Sequence, residues 1–379
     1  MIKVGIITIS KVDNYGAELQ SFAFQYKLNK MGYDAENIDY LFYKNKRHKR
    51  EAISRPFYSF PLKNRLKEVC LPKIEAFKSF FYRRAALRRK KGFEAFHQKY
   101  NKYSSKVYTS YSELYENVPE YDVYCVGSDQ VWSPSCYTSL HPYFLTFAPR
   151  YKKKISYASS FGVSSLPSKA IDYYRQDLLN LDSIAVREST GVDLVKQLTG
   201  RKAELVIDPT LLLTGDEWSV VASDAKVPQF KYLLLYVLKK SNYITRVAHR
   251  IAKENGLQIV RICKGPFRQD SKDSGILNII DAAPNEFVGL FKNADYVLTN
   301  SFHGTAFSLI FQRQFYTILK NGKKNNSRQL DLLENIGLKD RIIYENEFKN
   351  QTTIDFSEYR MRIEDLRKKS EIYLVNAIG

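Results

Sequence analysis

Ala294-Asp295-Tyr296-Val297-Leu298-Thr299-Asn300-Ser301-Phe302-His303-Gly304-Thr305-Ala306-Phe307 decides the fold. Its short apolar run predicts a buried strand and its polar centre a tight turn. The spacing of Phe307, Leu309, Ile310 and Phe311 predicts a helix. Strand, turn and helix in that order make up the unit of an open α/β sheet. Ligands of such sheets sit at the carboxyl ends of the strands, where helix N-termini present free N–H groups. Asn300, Ser301 and Gly304 line this turn, and His303 stands in it with an imidazole that can exchange a proton near neutrality. The plainer alternative is a turn histidine that only caps the helix.

The same grammar recurs toward the N-terminus. Val4-Gly5-Ile6-Ile7-Thr8-Ile9 predicts the central parallel strand of a Rossmann-like domain, and Ala35-Glu36-Asn37-Ile38-Asp39-Tyr40 its neighbour. The turn between them, with Asn14 and Gly16, precedes a helix patterned by Leu19, Phe22, Ala23, Tyr26 and Leu28. It is not a GxGxxG loop and gives no dinucleotide signature. Asn14 and Gly16 can hold an anion or a sugar hydroxyl there, or serve turn geometry alone.

Four further strands end in polar groups. Tyr121-Asp122-Val123-Tyr124-Cys125-Val126 runs into Gly127-Ser128-Asp129-Gln130-Val131-Trp132. Lys154-Ile155-Ser156-Tyr157-Ala158 runs into Ser159-Ser160-Phe161-Gly162. Ser183-Ile184-Ala185-Val186 leads to Arg187-Glu188-Ser189, and Glu204-Leu205-Val206-Ile207 to Asp208-Pro209-Thr210. Polar residues at successive strand ends predict a lined crevice. A first domain over 1–220 and a second over 221–355 are expected, with the change between Leu213 and Phe230, where Trp218 begins a short helix. In the second domain Tyr232-Leu233-Leu234-Leu235-Tyr236-Val237 opens a sheet. Helices follow at 244–255 and 284–292, with a strand at 258–262. Asn325-Asn326-Ser327-Arg328 begins a helix over 329–336 whose first turn carries a cation. A charged helix at 358–375, within a closing segment 356–379, should pack back across the first lobe.

The 379 residues are 44% hydrophobic and 26% charged, the balance of a soluble globular protein. No run approaches the about 18–20 apolar residues of a membrane span, and the N-terminus lacks signal-peptide architecture, so a cytoplasmic location is expected. The four cysteines and five histidines are dispersed, without metal-ligand spacing, and no metal is expected. The formal net charge of +19 is concentrated: residues 44–102 carry nineteen Lys/Arg against four Glu. Within it, 64–100 has a helical pattern with Phe77, Phe80, Phe81, Phe93 and Phe96 among Arg83-Arg84 and Arg88-Arg89-Lys90-Lys91. Such a basic amphipathic excursion suits an anionic membrane surface or a polyanionic, lipid-phosphate-linked substrate. It serves equally as a solvated face whose aromatic stripe packs on the domain. Nucleic acid is not expected, because no recognition module accompanies the charge.

Asn14-Tyr15-Gly16, Gly127-Ser128-Asp129-Gln130-Val131-Trp132, Ser156 to Gly162, Arg187-Glu188, Asp208-Pro209-Thr210-Leu211-Leu212 and Thr299-Asn300-Ser301-Phe302-His303-Gly304 occur in this order. Together they resemble the polysaccharide pyruvyl transferase family over nearly the whole chain. The resemblance implies two Rossmann-like lobes facing across a cleft, as in GT-B glycosyltransferases, with the active site between them. It implies phosphoenolpyruvate as donor substrate, no separate cofactor, and a sugar of a cell-surface polysaccharide as acceptor. A pyruvate ketal would bridge two hydroxyls. It further implies that Arg187 and His303 bind the donor. Some members carry an Arg just before the His; here Asn300-Ser301-Phe302 stand there, and Arg328 is the candidate replacement.

Ketal formation requires protonating the donor's methylene carbon, attack by a sugar hydroxyl on the neighbouring carbon, and departure of phosphate. Arg187 offers a bidentate fork to a carboxylate or phosphate, or pairs with a neighbouring carboxylate instead. His303 suits phosphate contact or general acid catalysis. Asp129, flanked by Ser128 and Gln130, is preferred over Asp208 as acceptor of the hydroxyl proton, since an Asp before Pro is often a turn residue. The acceptor is expected to be a galactose-type sugar, lipid-linked (polyprenyl diphosphate) or polymeric, with the basic segment at the inner membrane face. The alternatives are a nucleotide-sugar glycosyltransferase of the same shape and a non-catalytic anion- or polysaccharide-binding protein.

Overall fold

Two parallel sheets frame the protein. The computed structural model describes residues 1–56, 70, 82–238, 241–264, 275–320, 326–345, 347–348 and 352–379. The first sheet has the order β3-β2-β1-β4-β5, built from β1 (Lys3–Ile7), β2 (Asp34–Tyr40), β3 (Tyr103–Tyr108), β4 (Val123–Val126) and β5 (Lys153–Ser156). β1 is central, in register with β2 (Val4 opposite Ala35) and β4 (Val4 opposite Val123). Val4, Ile6 and Ile7 are sealed, as a strand covered on both faces requires. Two short strands, β6 (Ala185–Val186) and β7 (Glu204–Leu205), continue beyond β5 through isolated bridges at Ser183 and Val186.

The second sheet has the order β10-β9-β8-β11-β12-β13, built from β8 (Tyr232–Tyr236), β9 (Gln258–Ile262), β10 (Ile276–Ile279), β11 (Tyr296–Thr299), β12 (Gln314–Leu319) and β13 (Ile342–Tyr344). β11 lies between β8 and β12. The decisive stretch is the predicted strand, turn and helix: β11, then Ser301 as N-cap, then the Phe302–Ile310 helix.

The lobes share one hydrophobic core. Tyr15 of the Tyr15–Lys30 helix stacks on Phe287 of the second lobe (centroids 4.5 Å apart), and its hydroxyl donates to the Ala282 carbonyl at 2.7 Å. Trp218, fully buried, packs between Phe22 (5.6 Å) and Phe307 (4.9 Å), one ring from each lobe. It lies inside the Gly215–Val221 helix, which a Thr214–Glu217 capping box starts. The Ser357–Ile378 helix returns to the first lobe, where the Tyr373 hydroxyl donates to the Ser156 carbonyl (2.8 Å) and Arg367 Nε to the Leu211 carbonyl (2.7 Å).

Several elements escape the apolar pattern. Tyr103–Tyr108 reads YSSKVY, without an apolar run, and Ile276–Ile279 is four residues long with Leu277 exposed. Ile342–Tyr344 and the Tyr111–Glu116 and Ile171–Leu179 helices are equally inconspicuous in sequence. Asn325 lies outside the described residues, and the helix carrying Arg328 spans Ser327–Asn335. Of the basic excursion, Phe77, Phe80 and Phe81 lie outside the described residues, while Arg83–Tyr100 is a helix. Ala85, Arg89, Phe93 and Phe96 form its inner face. Arg89 is buried, its Nε donating to Asp13 at 2.6 Å and its guanidinium 4.6 Å from the Tyr15 ring centroid. Arg88 pairs with Asp281 of the second lobe at 2.7 Å. Arg83, Arg84, Lys90 and Lys91 point outward. The helix is therefore split: Arg88 reaches the second lobe, Arg89 is buried within the first, and Arg83, Arg84, Lys90 and Lys91 face solvent.

Candidate active site

The carboxyl ends of β4, β6 and β7 converge on one side chain. Arg187 follows β6, and its side chain is 0% exposed. Its Nη1 donates to Asp208 Oδ2 at 2.6 Å and its Nη2 to Asp129 Oδ1 at 3.1 Å, while Nε lies 3.9 Å from Glu188 Oε2. Asp208 is held from the other side, its Oδ1 accepting from Thr210 N (3.0 Å) and Oγ1 (2.8 Å). Asp129 takes a left-handed φ of 69°, which Asp tolerates better than most residues. Its carbonyl accepts from Ser160 N at 3.0 Å. Ser128 donates to the Ala158 carbonyl at 3.0 Å and touches Asp208 Oδ2 at 3.2 Å. Glu188 turns inward, its Oε1 accepting from Ser160 Oγ (2.8 Å) and Phe161 N (3.1 Å).

The second lobe covers this charged floor. The Phe302 ring centroid lies 4.9 Å from the Arg187 guanidinium and 5.8 Å from that of Arg328. His303 Nε2 stands 3.9 Å from Asp208 Oδ1. Its Nδ1 abuts Gly16 at the start of the first lobe's leading helix: a Cβ there would fall 2.1 Å from that nitrogen. Glycine at position 16 is what admits the imidazole.

Charge is unevenly compensated. Burial pushes the Arg187 pKa down, but Asp208, Asp129 and Glu188 outweigh it and raise the pKa. Burial pushes the Asp208 carboxyl up, yet His303 and Arg187 draw it below its ordinary value. Burial drives His303 below its usual range despite Asp208 and Asp129, and the cations Arg187 and Arg328 push it the same way. Arg328 falls to about 10 through burial and repulsion from Arg187. Arg328 has no hydrogen bond or ion pair among the described residues, and its Nε is buried. Arg187 Nε, Glu188 Oε2 and His303 Nε2 are buried without hydrogen bonds beside it. Unsatisfied polar atoms are rare in folded proteins, and such clusters mark functional sites.

Six predicted residues thus come together: Gly16, Ser128, Asp129, Arg187, His303 and Arg328. Others support them. Asn14 caps its helix, accepting from Gly16 N (3.0 Å) and Ala17 N (3.4 Å), and Ser301 caps another, accepting from Gly304 N (3.4 Å). Asn300 accepts from Leu238 N at 2.8 Å and braces the loop after β8. Gly304 packs against Thr299, and Gln130 lies against Gly162. Phe302 and the inward carboxylate of Glu188 were not singled out, although both adjoin residues that were. Among the described residues no group of three or more His, Cys, Asp or Glu is arranged to hold a metal ion.

A family model described as polysaccharide pyruvyl transferase matches residues 14–319. The chain belongs to the polysaccharide pyruvyl transferase family. The match begins at Asn14 and takes in the first-lobe strand ends and His303; Arg328 lies beyond it. A search of curated proteins finds no match. Among solved structures, UDP-GlcNAc 2-epimerase from Methanocaldococcus jannaschii aligns over 96% of this chain and 92% of its own, at 14% identity and TM-score 0.50. An epimerase from Rickettsia bellii aligns over 100% and 97% (11% identity, TM-score 0.49). The Escherichia coli heptosyltransferase WaaC with ADP aligns over 96% and 100% (11% identity, TM-score 0.41). The likeness to the first is one of fold: two Rossmann-like lobes in a GT-B-like arrangement.

The depressed His303 pKa has a measurable consequence. Below about pH 6.5 the unfolded chain binds a proton that the folded imidazole resists, so acid favours unfolding. Urea titrations from about pH 7.5 to 5 should show wild-type stability falling relative to His303→Gln. A difference that stays flat in acid would mean that the His303 pKa is not depressed, and one that rises would mean that folding favours the charged imidazole.

Proposed function

We propose that the chain transfers the pyruvyl group of phosphoenolpyruvate to two hydroxyls of a galactose-type sugar, forming a pyruvate ketal. The acceptor is a capsular or exopolysaccharide unit, or its polyprenyl-diphosphate-linked precursor. The observation that carries this is Arg328: its Nε is buried without a hydrogen bond, it makes no ion pair among the described residues, and burial and the neighbouring Arg187 lower its pKa despite the more distant pull of Glu188, Asp129 and Asp208. It suits an incoming anion with carboxylate and phosphate groups. Arg187, saturated by Asp129 and Asp208, holds those carboxylates in place beneath the site.

The remaining roles follow from access. A bound trianion raises the pKa of the adjacent His303, which then protonates the methylene carbon. Asp129, whose side chain keeps 14% exposure against 0% for Asp208, takes the proton of the attacking hydroxyl. The second hydroxyl closes the ring as phosphate leaves, and its proton leaves with phosphate or solvent. Asp208 is a positioning residue, with both oxygens engaged.

Purified protein incubated with phosphoenolpyruvate and a galactose-bearing lipid-linked acceptor should release phosphate and add a pyruvyl mass to the acceptor. His303→Ala should lower kcat by about 10²–10⁴-fold. Arg328→Ala should raise the KM for phosphoenolpyruvate by roughly 10–100-fold, the worth of a charged hydrogen bond. Turnover with a nucleotide sugar instead of phosphoenolpyruvate would overturn the assignment.

The outward face of the Arg83–Tyr100 helix, with Arg83, Arg84, Lys90, Lys91 and the half-exposed Leu87, suits an anionic membrane at the inner leaflet. No helix of the described residues is long and apolar enough to cross a membrane. Replacing those four cations with Gln should weaken binding to phosphatidylserine vesicles by about 100-fold or more at low salt, at roughly 1 kcal/mol per charge. Equal binding by wild type and variant would exclude this face.

A further inference from the structure

The Ser189–Thr199 helix begins immediately after Arg187 and Glu188, and its N-terminus is capped from the other lobe. Glu188 is its N-cap residue, with extended backbone (φ −134°, ψ 144°), but its carboxylate turns inward and makes no cap. The first free amide, Ser189 N–H, donates instead to Asp331 Oδ2 of the second lobe at 2.6 Å, across 142 residues of sequence. Thr190 Oγ1 and Ser327 Oγ approach at 3.5 Å alongside. Asp331 lies on the Ser327–Asn335 helix, three residues after Arg328 and therefore on the same helical face.

We infer that Asp331 is a positioning residue for the donor site. Its carboxylate ties the helix that carries Arg328 to the helix that follows Arg187. The contact sets the lobes in the register that places both guanidiniums on Phe302. A carboxylate at a helix N-terminus is favoured by the unsatisfied N–H groups and by the helix dipole. The contact crosses the lobe boundary at the edge of the anion site, where it adds a directional bond to the apolar packing that joins the lobes. Among the described residues Asp331 makes no hydrogen bond or ion pair with Arg187, His303 or Arg328, and it is not itself a catalytic residue.

The donor and the acceptor of this bond can be removed separately. Asp331→Ala deletes the acceptor. Ser189→Pro deletes the donor at the first helical position, where Pro is well tolerated and the preceding backbone is already extended. The kinetic arm rests on phosphoenolpyruvate being the substrate. Each variant should raise the KM for phosphoenolpyruvate by roughly tenfold, the usual worth of a cap, with kcat retained. The double variant should be no worse than either single, because both remove one bond. Asp331→Asn should keep most of the wild-type KM, since Asn caps about as well as Asp. Independently of any donor, hydrogen exchange of the amides at 190–193 should quicken in Asp331→Ala while the global unfolding midpoint holds. Multiplicative effects of the two substitutions on KM, or exchange identical to wild type, would overturn the proposal. If the wild type turns over no phosphoenolpyruvate, the donor assignment fails by itself and the exchange experiment still decides the role of Asp331.

Discussion

A guanidinium sealed from water must be neutralised where it stands, because a lone buried charge costs several kcal/mol. Arg187 imposes that constraint here. Its two terminal nitrogens are met by Asp208 and Asp129, and its third lies toward Glu188. To bring those carboxylates in, the chain must end three strands at one place and bend Asp129 into a left-handed conformation. The first lobe thus presents a rigid charged floor. The second lobe contributes what the floor lacks: an aromatic lid in Phe302, a buried imidazole in His303, and a second guanidinium, that of Arg328, in no ion pair among the described residues.

The two halves meet because apolar packing holds the lobes at a fixed angle. Trp218 between Phe22 and Phe307, and Tyr15 on Phe287, form one continuous core, while Arg88 fastens its edge to Asp281. Dense packing transmits small displacements. The contact between Gly16 and His303 is therefore determined by the whole interface. It is also where the chemistry is most exposed to a change of one methyl group.

Much of this was legible in the sequence, and the limits have physical causes. Strand ends followed by polar turns announced both sheets, since a buried parallel strand must be apolar and its exit must serve a helix N-terminus. The order of the motifs carried the family, and Arg328 stood out as a cation in a helix's first turn. What a lone pair does was not legible. Asn14 and Ser301 have the composition of ligand-binding turns and serve as caps, because a helix start needs the same acceptors as a sugar or an anion. Asp208 reads as an Asp-Pro turn and is one, yet its second oxygen also holds Arg187. The cross-lobe bond of Asp331 joins residues whose proximity only the packed core creates. The edge strands at Tyr103–Tyr108 and Ile276–Ile279 escaped notice because a half-covered strand needs few apolar residues.

That the lobes build one site between them, with His303 seated on Gly16 above the Arg187 carboxylates, is tested most directly by Gly16→Ala. The substitution leaves every charged residue in place and favours the helix by about 0.5–1 kcal/mol, but puts a methyl group where the imidazole stands. Turnover of phosphoenolpyruvate should fall by about 100-fold or more, the scale of losing a positioned proton donor, while the chain stays folded with a thermal midpoint only modestly lowered, since overpacking of about 1–3 kcal/mol is partly offset by the helix gain. Wild-type turnover in that variant would contradict the account.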